Sequence, residues 1–98
     1  MRTFQFRRYE LEPDGAKDFV AWAVNEIFPL REDFGFTVEW SYFNEAESEL
    51  VWLASADGTE SEFEALSAAW DKSAERAEAV KLMPPALIKI NASIVERV

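Results

Sequence analysis

Between Pro13-Asp14-Gly15 and Gly35, the apolar residues Ala16, Phe19, Val20, Ala23, Ile27, Leu30 and Phe34 fall on one side of a helical wheel. A stripe of that period predicts an amphipathic helix over residues 16–34. Pro29 interrupts it: without an N–H to bond back to Asn25, the helix kinks or restarts there, and the Asn25 side chain is available to stitch the kink. Upstream, residues 3–12 read as a strand with Phe4 and Phe6 in one parity and Tyr9 and Leu11 in the other. Either a bulge at Arg7-Arg8 or apolar cover on both faces produces that change of phase.

Downstream, Phe36, Val38, Trp40 and Tyr42 alternate with Thr37, Glu39 and Ser41, the pattern of a strand with one buried face. The polar residues 44–48 form a hairpin loop. Leu50-Val51-Trp52-Leu53-Ala54 is apolar in both parities, as a central strand covered on both faces should be. After Asp57-Gly58 comes a capping box, either Thr59 with Glu62 or Ser61 with Glu64. Phe63, Leu66, Trp70, Ala74 and Ala77 then share one face of a second helix, which Pro84-Pro85 stops. Ile88, Ile90, Ala92 and Ile94 alternate against Lys89, Asn91 and Ser93 as the fourth strand.

The order βαββαβ consists of two split crossover units. With right-handed connections it predicts an α+β, ferredoxin-like sandwich: a four-stranded antiparallel sheet with two helices on one face. The other face is left uncovered. Val51 and Leu53, opposite in parity to Leu50 and Trp52, need a second cover, and the sheet of a partner in a homodimer is the simplest.

Composition narrows the chemistry. The 98 residues suffice for a single domain spanning 1–98, and 49% hydrophobic residues with 14% aromatic argue for a packed core despite a net charge of -9. That charge repels phosphate backbones and anionic lipid, so neither nucleic acid nor membrane is an expected partner. The chain contains no histidine and no cysteine. The usual imidazole base, the thiolate nucleophile and the common transition-metal and haem ligands are therefore missing, and neither a metal nor a cofactor is expected. The three glycines all fall at turns, which leaves no phosphate-binding loop. The amino terminus lacks the apolar run of a signal peptide, and cytoplasm is the default location.

Seven residues are candidates for lining a pocket. Trp40, Trp52 and Trp70 would wall a flat ligand between sheet and helices, or else make up the core itself. Arg7 and Arg8 leave the first strand in opposite directions. One points inward and can bind a carboxylate or enolate oxygen, unless it pairs with Glu39 across the sheet. Tyr9, Tyr42 and Asn91 would hydrogen-bond a polar group in an otherwise apolar cavity. Trp22 and Phe28 fall to either side of the first helix's stripe and read as surface or partner-contact positions. The scattered carboxylates form no acid–base couple, and no residue is assigned a catalytic role.

Arg8-Tyr9-Glu10-Leu11 followed by Pro13-Asp14-Gly15, the Phe19 and Trp22 helix ending Phe28-Pro29-Leu30, Phe34-Gly35-Phe36, Trp40, Phe63, Trp70 and the last strand resemble the NIPSNAP family and, more widely, the dimeric α+β barrel proteins. The resemblance implies a homodimer whose two sheets face each other, with a pocket in each subunit between sheet and helices. Three functions fit it. The first is a NIPSNAP-like protein that binds a small apolar or aromatic ligand. The second is a cofactor-independent monooxygenase or isomerase acting on an aromatic or enolisable substrate, with Tyr9, Trp40, Asn91 and an arginine as donors and shape. The third is a structural or interaction module with a filled core. Haem-degrading members of the wider group need a histidine that this chain lacks. The associations of larger, organelle-targeted NIPSNAP proteins do not carry over either.

Overall fold

The element order follows the sequence pattern, with a one-residue register shift where the first strand meets the last, between Glu10 and Leu11, and two further one-residue departures that decide which side chains meet at the cavity. A computed structural model describes residues 1–98. It contains β1 (Arg2–Leu11), α1 (Ala16–Trp22), a π-helical turn (Ala23–Ile27), α2 (Phe28–Phe34), β2 (Thr37–Asn44), β3 (Glu49–Asp57), α3 (Glu60–Asp71), α4 (Ala74–Val80) and β4 (Leu87–Val95). The strands pair antiparallel in the order β2-β3-β1-β4, the ferredoxin-like arrangement. No helix is long and apolar enough to cross a membrane.

The change of phase in β1 is not a bulge. Its register with β3 runs unbroken from Arg2 opposite Asp57 to Glu10 opposite Glu49. Both faces of the central pair are apolar instead: Tyr9, Leu11, Leu50, Trp52, Ala54 and Ala56 are buried on the helix side, while Phe4, Phe6, Val51 and Leu53 lie on the open side.

A bulge does occur, in β2. Val38 pairs with Ala54, yet Trp40 pairs with Leu53, so Glu39 is the extra residue and everything after it changes face. Trp40 and Tyr42 were expected under the helices. They lie on the open face, 38% and 68% exposed, with Trp40 6.1 Å from Phe6 and 5.7 Å from Tyr42 between ring centres. The bulged residue has a polar anchor there. Ser55 donates to the Glu39 carboxylate, and Arg2 Nε lies 3.7 Å from it. Arg2, rather than Arg7 or Arg8, is thus the partner of Glu39.

The second departure is in the first helix. In the π-helical turn the Phe28 N–H reaches back to the Ala23 carbonyl, one residue further than in an α-helix. Helix α2 then restarts with Pro29 in its first turn, where a missing donor costs little. Asn25 faces solvent and takes no part. The extra residue rotates the remainder of the helix, so Phe28 and Arg31 are buried, contrary to the regular helical stripe. Phe28 packs 4.8 Å from Trp52. Trp22, read as a surface or contact position, instead donates from Nε1 to the Ala79 carbonyl at 3.0 Å and packs 5.3 Å from Phe19.

The second helix starts with Thr59 and Glu62 as a reciprocal capping box, and is shorter than its sequence pattern implies. Ser73 donates to the Trp70 carbonyl at 2.7 Å and accepts from Arg76 N–H at 3.2 Å, which ends α3 and caps α4. Ala74 and Ala77 are consequently exposed, and Ala79 is the buried residue of α4.

Trp52 is fully buried, whereas Leu82 is 69% exposed. Trp52→Ala is expected to lower the unfolding free energy by about 3–5 kcal/mol in urea denaturation, and Leu82→Ala by no more than about 0.5 kcal/mol.

Candidate functional site

Between the sheet and the helices lies a cavity of about 160 Å³. Strand β1 contributes Arg7 and Tyr9 to its wall, β3 contributes Trp52, and α3 contributes Trp70. The first helix supplies Phe19, Trp22, Ala23, Ile27, Phe28 and Arg31. Val80, Met83, Leu87 and Ile90 form the outer part, on the β4 side, where Ile90 is exposed. The lining is mostly aromatic and aliphatic, as in small-molecule sites.

Its charge is opposite to that of the whole molecule. Arg7, Arg31 and Arg76 face a single carboxylate, Asp71, so three positive groups less one negative give +2 in a chain of net -9. Asp71 is mostly exposed and lies 3.9 Å from Arg76, leaving Arg7 and Arg31 without an ion pair. Arg7 is held locally: it donates to the Tyr9 hydroxyl at 3.2 Å and to Gln5 Oε1 at 2.9 Å, and its guanidinium carbon lies 5.3 Å from the Trp52 ring centre.

Arg31 is the unusual residue. It is only 5% exposed, and its Nε has no hydrogen-bond acceptor. Three rings take the place of water around the guanidinium carbon: Trp52 at 5.0 Å, Trp70 at 5.1 Å and Phe36 at 5.1 Å. The negative end of α2 also favours a cation in the last turn. Burial, reinforced by the nearby charge of Arg7, nevertheless lowers the Arg31 pKa from the ordinary arginine value to about 10. That difference corresponds to on the order of 3 kcal/mol of opposition to folding while Arg31 is charged. The opposition is full below pH about 10 and is relieved as pH rises towards the ordinary arginine value, because the unfolded chain keeps the proton longer. Cation–π contacts of about 0.5–2 kcal/mol per ring are of the same size, so the charge sits close to balance.

A second donor shares this environment. Trp52 Nε1 is buried without an acceptor. Unpaired buried donors are uncommon, and here two belong to side chains that line one cavity.

Of the seven residues singled out from the sequence, Arg7, Tyr9, Trp52 and Trp70 line this cavity. Trp40 and Tyr42 do not, because of the Glu39 bulge. Asn91 pairs in register with Arg8 and shares its face, opposite to the cavity, and donates a long 3.4 Å hydrogen bond to Glu10. Arg31 was missed. It is polar on a helix read as regular, and only the π-helical turn brings it inside; the Pro29 interruption was the one sequence signal that the phase changes there.

Fold and cavity together define a class: ferredoxin-like α+β proteins with an aromatic-walled space between sheet and helices. No family model matches the chain, and no curated protein matches it in sequence. Solved structures do match in fold. An uncharacterised NIPSNAP-like domain protein from Burkholderia xenovorans superposes with TM-score 0.81 at 20% identity, over 99% of this chain and 85% of its own. A NIPSNAP family protein from Agrobacterium tumefaciens gives TM-score 0.85 at 5% identity, covering 100% and 94%. A putative antibiotic biosynthesis monooxygenase from Nitrosomonas europaea is more distant, with TM-score 0.64 at 12% identity over 99% and 90%. The NIPSNAP resemblance read from the sequence therefore holds at the level of fold.

The balance around Arg31 is measurable. In a double-mutant cycle of Phe36→Leu and Arg31→Met, urea unfolding is expected to show a favourable coupling of about 0.5–2 kcal/mol. Additive losses would mean that the ring does not stabilise the charge.

Proposed function

We propose that this chain is a NIPSNAP-like binding protein for a small apolar or aromatic molecule, held in the cavity between sheet and helices, and that it acts as a homodimer. The observation that carries the ligand reading is the aromatic-walled space of about 160 Å³ beside Trp52, in a core otherwise closed by large side chains. A filled interaction module has no use for such a space. A cofactor-independent monooxygenase or isomerase has less support, because Trp40 and Asn91 lie on the other side of the sheet and only Tyr9 and the arginines remain as donors.

The dimer reading rests on the open face. Phe4, Phe6, Trp40, Tyr42, Val51 and Leu53 form an apolar band there, bordered by the Arg8–Glu49 and Arg2–Asp57 ion pairs. A band of this kind calls for a partner. Both signs of charge at its margins suit a second copy of the chain in two-fold apposition.

Toluene titrated against tryptophan fluorescence tests the cavity. Saturable binding is expected, weakened at least about tenfold by Ala23→Leu, which fills the space. Absence of saturable binding in the wild type would sink the ligand reading. Sedimentation at micromolar concentration tests the dimer: the expected species is twice the 11.2 kDa chain, converted to monomer by Leu53→Asp. A wild-type monomer would rule it out.

A further inference from the structure

The apolar character of the cavity explains why a small molecule would enter it, but not why two cations without an ion pair face it. Arg31 is nine-tenths buried and unpaired, which in a finished core is a defect. A well-packed hydrophobic residue in place of buried charged groups is often neutral or stabilising. Here the surroundings instead preserve it. Three rings flank the guanidinium, while Arg7 stands over the neighbouring face of Trp52 with Tyr9 and Gln5 fixing its direction. The one carboxylate in the lining, Asp71, sits at the exposed rim and is closest to Arg76.

We infer that the cavity is built for a single-ring aromatic carboxylate, whose carboxylate group is received by the Arg31 guanidinium and whose ring stacks among Trp52, Phe28 and Trp70. This rests on the small-ligand reading of the same cavity. A carboxylate matches the planar guanidinium fork, which two parallel N–H groups can meet at once. It also supplies the acceptor that Arg31 Nε lacks, and a second oxygen is available to the Trp52 indole N–H. Arg7 adds a second positive charge without competing for the fork, because its Nε and one terminal nitrogen are already engaged with Tyr9 and Gln5. The size fits one ring rather than a fused system: a cavity of about 160 Å³ is small for a ligand site. The strongly acidic exterior does not concentrate anions, so selection is made inside the cavity by these groups and not by long-range steering. Arg31, whose charged form is held back by burial, gains most from an incoming anion.

The test compares benzoate with benzamide, which share size and planarity but differ in charge. Calorimetric titration of the wild-type protein is expected to show benzoate bound at least about tenfold more tightly. Arg31→Met removes that preference, and Arg31→Lys, which keeps the charge but loses the fork, retains only part of it. In the ¹H–¹⁵N spectrum, the Trp52 indole cross-peak moves downfield with benzoate in the wild type. Equal affinity for the two probes would overturn the carboxylate assignment and leave the apolar cavity standing. A preference that survives in Arg31→Met would equally overturn it, by placing the anion elsewhere. Failure of both probes to bind would remove the ligand reading itself. Should Arg31→Met not fold, the wild-type comparison and Arg31→Lys decide the matter.

Discussion

Trp52 is the point on which the helix side of the molecule converges. Tyr9 meets its ring edge-on at 6.0 Å, Phe28 lies 4.8 Å away, and the guanidinium carbons of Arg7 and Arg31 stand 5.3 and 5.0 Å from its centre. A large aromatic in the middle strand thus joins β1, β3 and α2 through one side chain. Its dispersion contacts hold the layers together, and it is the one ring that both cations share.

The first helix adapts to this arrangement at Pro29. A proline in a regular helix would leave a carbonyl unbonded and clash with the preceding turn. A π-helical turn ahead of it lets α2 begin afresh with the proline near its start, where no donor is needed. The added residue also changes the phase of the helix, bringing Phe28 and Arg31 onto Trp52. Gly35 then ends α2 at φ 127°, a conformation in which a side chain would be strained, and turns the chain into β2. One backbone solution therefore accommodates the proline and delivers the cation.

The sheet contains a matching event on its other side. At Glu39 the bulge moves Trp40 and Tyr42 away from the helices and onto the open face, where they join Phe4, Phe6, Val51 and Leu53. The tryptophans end on both sides of the sheet: Trp22, Trp52 and Trp70 line the cavity, with Trp22 also tied to the Ala79 carbonyl of α4, while Trp40 lies outside. The apolar band and the cavity are thus separate features on opposite faces of one sheet.

Much of this was legible along the chain. Alternation in the strands, the 3.6-residue stripes, Pro and Gly at the turns and the missing histidine and cysteine were enough for the βαββαβ order, the ferredoxin-like arrangement and the narrow choice of chemistry. Arg7, Tyr9, Trp52 and Trp70 were also identifiable, because the pairing of β1 with β3 is unbroken and the apolar stripe of α3 keeps its period as far as Trp70. Only the tertiary structure decided the two phase changes, at residues 23–27 and at Glu39. A one-residue shift moves a side chain to another face of its element, yet it leaves the local pattern almost unchanged when both faces carry apolar residues. Which phase is adopted depends on contacts distant in sequence: the Arg2, Ser55 and Glu39 cluster in one case, and the packing of Phe28 and Arg31 on Trp52 in the other.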